Sequence, residues 1–408
     1  MAQVKEDEHS VAGVRAFDFD SVTIFHVVTV AMSLGFLRGQ IDLLRKFGAD
    51  VHAVSSPSEE LELFGEEFGI SVHSANLKRK ISPLSDLIAL KQLCSLFRQF
   101  KPDIVHAHTP KGGLLGTIAA RITGVPVVLY HMRGLPFLTQ RGLSRAILKL
   151  SERVSCFCAR RVLSVSRSNL DIAVAAGLCP KEKGRVLLSG SGQGVDADNL
   201  FNPRKIEVSF REEARSEWGV SSKDFVIGFI GRLVNDKGIR ELIEAFEWLD
   251  LETSNEPFLV IIGPSEVRDS VDDCVLKKID TNPRICHIGK VKKSSLNKYY
   301  IAMDLVVLPS YREGFPNVPL EAAAMELPVV STKVPGCMDA VVDGETGVLV
   351  ESRSSTELKR AIERYASSSD LRRKHGLAGR KRVERCFREE YLRDAIFQEY
   401  AELMREGQ

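Results

Sequence analysis

The chain alternates short apolar runs with longer segments in which apolar residues recur every three or four positions. The early runs are VTIFHVVTV, DVHAVSS, DIVHAHT and PVVLYHM, and the later ones are DFVIGFIGRL, PFLVIIG, ICHIGKV, LVVLPS, PVVST and GVLV. Segments between them, such as GIRELIEAFEWL, have the periodicity of amphipathic helices. Runs that are apolar at nearly every position are typical of parallel strands covered on both faces. The pattern therefore predicts an α/β protein with two successive doubly wound units.

Domain limits are expected where this rhythm is interrupted. The stretch LLSGSGQGVDADNLFNP, rich in Gly, Ser, Asp and Asn, separates the two sets of strands, and such composition is typical of turns and linkers. We expect a poorly ordered lead-in over residues 1–20, a first domain over 21–195, a second domain over 196–385 and a helical tail over 386–408. Two domains are also what a length of 408 residues favours.

Composition and charge exclude several classes of protein. The net charge is +2 at pH 7, and no basic segment interleaved with aromatic residues occurs, so we expect no nucleic-acid partner. The most apolar early stretch, residues 21–37, contains polar side chains and is shorter than the roughly 20 residues that span a bilayer. The eight cysteines form no CxxC pair, and the polar beginning of the chain leads us to expect no secretory signal. A cytoplasmic protein with reduced thiols is therefore expected.

Two cations follow a predicted strand of the second unit. The loop GRLVNDKG comes after FVIGFI and places Arg232 and Lys237 beyond the strand end. In open parallel sheets, ligands bind at the carboxyl ends of the strands. An arginine fork and a lysine point charge in one such loop suit a diphosphate. A solvated surface loop would carry the same residues, so this loop alone leaves both interpretations open.

The stretch PSYREGFPNVPLEAAAMELPVV adds two glutamates eight positions apart. Gly314 permits close approach of the backbone, Asn317 is placed to cap a helix, and Pro319 suits its first turn. Free amide groups of that turn would face an anion. Glu313 and Glu321 would accept hydroxyl groups on the two sides of a bound diphosphate, which predicts a sugar–diphosphate–nucleoside ligand. The alternative is that Glu321 only favours the helix dipole and that Glu313 is a surface turn residue.

With these motifs the chain resembles the family 4 glycosyltransferases, above all those that build bacterial capsule, exopolysaccharide or lipid-linked oligosaccharide. The stretch from Glu313 to Glu321 is similar to the family's E-x7-E signature, and PGCMDAVVDGETGVLV, HAHTPKGGLLGTIAARITGVPVV and GVDADNLFNP agree in order and spacing. The resemblance implies the GT-B fold, in which two Rossmann-like domains face each other across a cleft and the last helix crosses back. It also implies a retaining enzyme that needs neither a metal ion nor another cofactor.

The resemblance assigns roles to individual residues of the second domain. Arg232 and Lys237 would bind the donor diphosphate, Glu313 the donor sugar and Glu321 the ribose. Further donor contacts, to phosphate, sugar or base, are expected from Gly35, Ile288, Val291, Gly314, Phe315, Pro316, Asn317 and Val318. Of these, Gly35 would lie in a loop of the first domain that closes on the donor.

The first domain departs from the family pattern at one position. Relatives carry a His-Gly pair after the strand corresponding to VVLY, whereas this chain reads YHMRGLPF, with Arg133 before Gly134 and His131 two positions earlier. Residues two apart on a strand face the same way, so either Arg133, the aligned residue, or His131 would take the role of the sugar-contacting histidine. Arg79 and Lys111 are expected on the acceptor side.

The expected activity is transfer of a hexose-type sugar from a nucleotide diphosphate sugar, with UDP-sugar as the first expectation, to a lipid-linked or saccharide acceptor. The alternatives are a nucleotide-sugar epimerase on the same fold and a non-catalytic subunit that binds nucleotide sugars. The expected mechanism is a front-side displacement in which the leaving phosphate takes the proton of the acceptor, and a covalent intermediate stays open as the alternative.

A basic amphipathic helix is predicted within residues 133–161. Its apolar positions recur at three- and four-residue spacing among arginines and lysines: Leu143, Ile147, Leu150, Val154 and Phe157. Such a helix either packs its apolar face on the core or rests on an anionic membrane surface. The second interpretation predicts a peripheral protein on the inner face of the plasma membrane.

Overall fold

A computed structural model of the chain describes residues 17–80, 82–207, 209–249, 256–266 and 270–406. The predicted lead-in therefore lies mainly outside the described residues. The strands are β1 (Thr23–Val27), β2 (Asp50–Ser55), β3 (Ser71–Ser74), β4 (Ile104–His108), β5 (Val127–Met132), β6 (Arg161–Ser164), β7 (Gly184–Arg185), β8 (Phe225–Ile230), β9 (Pro257–Ile262), β10 (Ile285–Gly289), β11 (Leu305–Leu308), β12 (Val329–Thr332) and β13 (Gly347–Val350).

These strands form two parallel sheets. One has seven strands in the order β3-β2-β1-β4-β5-β6-β7, and the other has six in the order β10-β9-β8-β11-β12-β13. In each sheet the order reverses beside the first strand, which is the topology of a doubly wound fold. The α/β class predicted from the apolar runs is therefore confirmed.

Helices follow most of the strands, as the alternating pattern predicts. They are α1 (Arg38–Lys46), α2 (Glu59–Phe68), α3 (Pro83–Phe100), α4 (Pro110–Thr123), α5 (Gly142–Cys158), α6 (Arg167–Ala175), α7 (Ser209–Glu217), α8 (Ile239–Glu247), α9 (Asp273–Thr281), α10 (Leu296–Tyr300), α11 (Val318–Ala324), α12 (Cys337–Ala340), α13 (Ser355–Ala366), α14 (Ser369–Cys386) and α15 (Glu389–Arg405). No helix of the described ranges is both long enough and apolar enough to cross a bilayer.

The second sheet explains why its strands are apolar at every position. Ile227 and Phe229 of β8 belong to a core cluster that includes side chains of α8 and α13. Val226 and Ile230 of the same strand belong to a separate cluster with side chains of α11 and α14. Because both faces are covered, neither set of alternate positions can be polar.

The chain divides into two compact units. Unit 1 contains the described parts of Met1–His131, Val154–Arg161 and Leu392–Gln408, and unit 2 contains those of Met132–Arg153 and Val162–Tyr391. The strands change from the first sheet to the second between β7 and β8, an interval that includes the predicted boundary at 195/196. The exact domain limits stay a prediction.

A buried arginine joins α7 to the second sheet in unit 2. The Arg215 side chain donates to the carbonyl oxygens of Ala302 (3.0 Å) and Asp224 (3.0 Å) and pairs with Asp304 Oδ2 at 2.7 Å. Burial lowers the pKa of Arg215, and the Asp304 carboxylate opposes that change. Removal of the guanidinium would leave a carboxylate and several carbonyl groups without this partner, which is costly in a buried site.

We expect Arg215→Leu to lower the free energy of unfolding of unit 2 by about 3–5 kcal/mol. The matched control is Arg211→Leu, because Arg211 pairs with the other oxygen of Asp304 but its side chain is 37% exposed. Urea denaturation followed by tryptophan fluorescence measures the effect, since Trp218 and Trp248, the two tryptophans of the chain, both lie in unit 2. An equal decrease in the free energy of unfolding in the two variants would contradict the expectation that the buried arginine contributes more than the exposed one.

Candidate functional site

The loops after β8 and β11 bring one predicted cation and one predicted carboxylate together. Lys237 Nζ lies 2.5 Å from Glu313 Oε1, and the two side chains are only 17% and 12% exposed. Their strands are neighbours in the second sheet, so the carboxyl ends of both strands lie at the same edge. This contact joins residues that are 76 positions apart in the sequence.

Hydroxyl groups hold the carboxylate end of this contact. Ser310 Oγ donates to Glu313 Oε1 at 2.7 Å, and Thr332 Oγ1 in turn donates to the Ser310 carbonyl at 2.5 Å. Burial, together with the nearby charge of Glu313, raises the pKa of the Cys337 thiol to about 12. The thiol beside the site is therefore neutral, and Glu313 has a fixed orientation.

Arg232, which was predicted to bind the diphosphate together with Lys237, pairs with a different carboxylate. Its Nη1 atom lies 3.0 and 3.1 Å from the two carboxylate oxygens of Glu266. The side chain is half-exposed, so it is accessible to an anion once that ion pair opens. The structure thus brings Lys237 and Glu313 into contact, while it pairs Arg232 with a neighbouring acid.

Three glycines around Glu313 allow the backbone to approach itself closely. A Cβ atom on Gly314 would lie 2.1 Å from the Arg133 carbonyl oxygen, and one on Gly336 would lie 2.3 Å from the Gly314 carbonyl oxygen. A Cβ atom on Gly134 would lie 3.2 Å from the Gly314 Cα atom. No side chain fits between these segments, which explains the glycine at each position.

Polar residues of α6 and α12, to which the sequence pattern assigned no role, fix this glycine contact. Asn169 Nδ2 donates to the carbonyl oxygens of Gly314 (2.8 Å) and Glu313 (3.3 Å). Asp339 Oδ1 accepts from the backbone amides of Arg167 (3.0 Å) and Ser168 (3.2 Å) at the start of α6. Asp339 lies inside the motif PGCMDAVVDGETGVLV, so the family resemblance could have identified it. Asn169 lies in none of the motifs, so no sequence pattern pointed to it.

Glu321 lies in the first turn of α11 and is buried. The Tyr300 hydroxyl donates to its Oε2 atom at 2.9 Å. Burial raises the pKa of Glu321, while the charge of Lys293 and the hydrogen bond from Tyr300 partly oppose that rise. A hydroxyl group therefore already occupies one carboxylate oxygen, and the expected contact of Glu321 with ribose stays a prediction.

The expectation that the Asn317 side chain caps α11 is wrong. Asn317 is the N-cap residue, but its backbone is helical (φ −78°, ψ −29°) and its side chain makes no capping hydrogen bond. A capping side chain normally needs an extended backbone at this position to reach the amides of the first turn.

The other predicted donor contacts of this loop are partly or fully buried. The Phe315 ring packs on Phe387, with 5.6 Å between ring centroids. Pro316 is buried and Val318 is half-buried.

The two residues expected near the nucleotide base lie in and after β10. Ile288 and Val291 are partly buried against the core cluster of β8, α11 and α14. The backbone amide of Gly263 donates to the Gly289 carbonyl at 2.8 Å, which fixes the strand end from which this loop leaves. The structure places both residues at the same edge of the sheet as Lys237, and their contact with a base stays a prediction.

The expected first-domain loop around Gly35 is a helix. Gly35 lies in a 3-10 helix over Ala31–Leu37 that buries Ala31, Leu34 and Leu37. These three positions recur every third residue, which matches the 3-10 repeat and explains why the segment is not a loop. A side chain on Gly35 would meet no atom within 4 Å.

The acceptor-side candidates of unit 1 differ in accessibility. Arg79 is exposed. Lys111 lies in the first turn of α4, and its Nζ atom pairs with Asp86 Oδ1 at 2.7 Å. Its side chain is mostly buried, so it would have to exchange that partner to bind a phosphate.

Arg133 and His131 occupy different surroundings. His131 lies on β5 in unit 1 and is buried, with its ring stacked 5.2 Å from that of His106. Arg133 lies in unit 2, where its Nη1 atom donates to the Gly192 carbonyl at 3.3 Å and its own carbonyl meets Gly314. Within unit 2, Arg133 therefore lies beside the loop after β11 that carries Glu313, the Glu313 loop.

A buried cluster of histidines is the place in the described ranges where a metal ion could be held. The ligand atoms of His26, His106 and His108 lie within 4.8 Å of one another, and imidazole nitrogens are common zinc ligands. His26 Nδ1 already lies 3.2 Å from His108 Nε2, and the Tyr400 hydroxyl lies 2.6 Å from His106 Nδ1. A metal ion would have to replace these contacts, and the cluster belongs to unit 1, whereas Lys237 and Glu313 belong to unit 2.

Comparisons with known proteins agree on one family. Residues 210–382 match the family described as glycosyl transferases group 1, and residues 36–190 match the glycosyl transferase 4-like domain. The capsular polysaccharide biosynthesis glycosyltransferase CapM of Staphylococcus aureus is 37% identical over 386 residues, which cover 94% of this chain and 98% of CapM. An Escherichia coli relative named UDP-Gal:alpha-D-GlcNAc-diphosphoundecaprenol alpha-1,3-galactosyltransferase is 26% identical over 86% of this chain and 89% of its own length.

Solved structures show the same fold at lower sequence identity. HepE of Anabaena, crystallised with UDP and glucose, superposes with a TM-score of 0.76 at 21% identity and covers 94% of this chain and 100% of HepE. The lipopolysaccharide glycosyltransferase WaaG matches with a TM-score of 0.68 at 14% identity, over 89% of this chain and 95% of WaaG. With the match to CapM and the two family domains, these findings establish that the chain belongs to the group 1 (family 4) glycosyltransferases and is a glycosyltransferase of the GT-B fold.

Proposed function

We propose that this glycosyltransferase transfers a hexose-type sugar from a UDP-sugar, with retention of configuration, to a lipid-linked saccharide in bacterial surface polysaccharide synthesis. The observation that carries the proposal is the contact between Lys237 and Glu313 at the ends of two neighbouring strands. In this contact the Lys237 ammonium group, which can bind a phosphate, lies beside the Glu313 carboxylate, which can accept hydrogen bonds from sugar hydroxyl groups. Support for the acceptor class comes from the names of CapM and of the galactosyltransferase acting on a diphosphoundecaprenol-linked sugar.

In the proposed reaction the acceptor hydroxyl oxygen attacks the anomeric carbon as the bond from that carbon to the β-phosphate oxygen breaks. The departing phosphate oxygen takes the proton of the acceptor hydroxyl, so the products are the new glycoside and UDP. Lys237 and Arg232 stabilise the charge that develops on the diphosphate, and Glu313 orients the sugar. Arg133, with His131 as the second choice, contacts the sugar from the other side. Such fixed electrostatic groups contribute most of what this chemistry needs.

The remaining donor contacts are assigned to main-chain groups and to the ends of α11 and β10. Backbone amides from Gly314 to Val318 hold phosphate and sugar, Glu321 accepts the ribose hydroxyls, and the segment from Ile288 to Val291 meets the base. No metal ion takes part in this scheme, because protein cations offset the diphosphate charge.

An epimerase is the alternative within the same fold. One structural neighbour is described as a UDP-N-acetylglucosamine 2-epimerase from Listeria monocytogenes, with a TM-score of 0.62 at 15% identity. Identity at that level supports the fold alone, whereas the 37% identity to CapM extends over nearly the whole chain. The two activities differ in a simple way, since an epimerase converts its sugar nucleotide with no acceptor present.

The direct test incubates the protein with UDP-, GDP- and dTDP-sugars, with and without a lipid diphosphate-linked N-acetylglucosamine acceptor, in buffer that contains EDTA. Acceptor-dependent release of UDP supports the proposal. Conversion of the sugar nucleotide without acceptor supports the epimerase, and failure to bind any sugar nucleotide contradicts both.

Within that assay we expect Glu313→Gln and Lys237→Ala each to lower transfer by at least about 100-fold, because removal of one preorganised group costs about that much. The matched controls are Glu351→Gln and Lys333→Ala, which change an exposed Lys–Glu pair of the same unit with a distance of 3.0 Å. Near wild-type turnover in either site variant would show that the site has been wrongly assigned.

We further propose that α5 rests on an anionic membrane surface. Leu143 and Leu150, two of the apolar residues of this helix, are 76% and 62% exposed. These two side chains therefore do not pack on the core, which was the alternative interpretation. Arg141, Arg145, Lys149 and Arg153 lie on the same helix or at its start. Each basic side chain near an anionic surface contributes about 1 kcal/mol.

We expect the protein to sediment with vesicles that contain phosphatidylglycerol, to do so less at high salt, and to sediment little with pure phosphatidylcholine. Leu143→Ser combined with Leu150→Ser should reduce that binding. Leu63→Ser provides the control, because Leu63 is also exposed but lies on α2 among Glu59, Glu60 and Glu62. Equal sedimentation with both vesicle types, or an unchanged double variant, would refute membrane docking by α5.

A further inference from the structure

Two adjoining cavities in unit 2 lie beside the Glu313 loop and are lined by arginines. Their volumes are about 950 and about 310 Å³, and they share the lining residues Thr139, Gln140, Tyr311 and Arg353. Together we call them the arginine basin, after the five arginines that line it: Arg141, Arg145, Arg240, Arg312 and Arg353. Lys237 and Glu313 are not among the lining residues described for either cavity.

The carboxylates of the basin are already engaged within it. There are three of them against five arginines, and each has one described partner. Arg312 Nη2 lies 2.9 Å from Asp236 Oδ2, the Tyr311 hydroxyl donates to Glu241 Oε2 at 2.5 Å, and Arg240 forms an ion pair with Asp272.

The basin has an excess of two positive charges, because it contains five arginines and three carboxylates. Among the described residues, no carboxylate lies within ion-pair distance of Arg141, Arg145 or Arg353. Arg141 immediately precedes α5 and Arg145 lies in its first turn, and both line the smaller cavity. The free amide groups of a helix start add to the same positive potential.

Arg353 is held in place at the boundary of the two cavities. Its guanidinium carbon lies 3.7 Å from the centroid of the Tyr311 ring. Tyr311 is fixed in turn, because its backbone amide donates to the Asp236 carbonyl at 2.8 Å and its hydroxyl is held by Glu241. Burial and that hydrogen bond raise the pKa of Tyr311, so the phenol keeps its proton and serves as a neutral platform.

We propose that the arginine basin binds a second diphosphate group, distinct from that of the donor. Guanidinium forks match pairs of phosphate oxygens, and three of them around one cavity suit a multiply charged phosphate better than a neutral sugar. The combined cavity is large enough for a sugar diphosphate. The identification of this group as the diphosphate that links the acceptor to its lipid rests on the proposed function.

The experiment uses farnesyl diphosphate as the probe and saturating UDP to occupy the donor site. Wild-type protein should bind farnesyl diphosphate in the presence of UDP, and farnesol should not compete. Arg141→Gln, Arg145→Gln and Arg353→Gln should each weaken the probe about tenfold, the effect of about 1.4 kcal/mol, while the affinity for UDP stays unchanged. Arg121→Gln, an exposed helical arginine of α4 in unit 1, is the control and should change neither affinity.

Inorganic pyrophosphate as a second probe distinguishes a site for a free diphosphate from a site for a diphosphate that is attached to a lipid. Binding of pyrophosphate with the same dependence on the three arginines shows that the basin recognises the diphosphate itself, and tighter binding of farnesyl diphosphate adds a contribution from the lipid. Unchanged affinity in all three variants, or displacement of farnesyl diphosphate by UDP, would overturn the inference. If the wild type binds the probe through these arginines but binds no nucleotide, the basin stands and the proposed function fails.

Discussion

The contact between Lys237 and Glu313 depends on the order of strands in the second sheet. β8 and β11 are neighbours although two strands and their helices separate them in the chain, so their following loops meet at one edge. Both side chains are largely buried, and a buried lysine or glutamate without its partner would be costly. The pair therefore fixes both loops before any ligand arrives. A bound diphosphate would then meet Lys237 in a defined position, with Glu313 oriented toward the attached sugar.

The residues that follow β11 face two different places. Tyr311 and Arg312 line the arginine basin, and Glu313 meets Lys237. The backbone bends at Tyr311 and is neither strand nor helix over these three residues, so one short segment can serve both a donor site and a second anion site. If both proposals hold, the two diphosphate groups lie on either side of the same loop, which places an acceptor next to the sugar that it receives.

Much of this arrangement could be predicted from the sequence because it follows from local patterns. The apolar runs predicted the strands, and the rule that ligands bind at strand ends singled out Lys237 and Glu313. Contacts between distant segments, such as that of Asn169 with the Gly314 carbonyl, could not be predicted from local patterns. Local rules also failed where tertiary contacts decide the backbone: Asn317 has the residue type of a capping side chain but a helical backbone, and the segment around Gly35 is a 3-10 helix instead of a loop.

We propose that Lys237 binds the donor diphosphate while Glu313 contacts the sugar attached to it. Calorimetric titration of UDP and of the UDP-sugar that the wild type binds most tightly separates these roles. Lys237→Met should weaken both ligands by a similar factor, whereas Glu313→Gln should weaken the UDP-sugar and leave UDP nearly unchanged. Equal weakening of UDP and UDP-sugar by Glu313→Gln, or unchanged UDP affinity in Lys237→Met, would contradict the account.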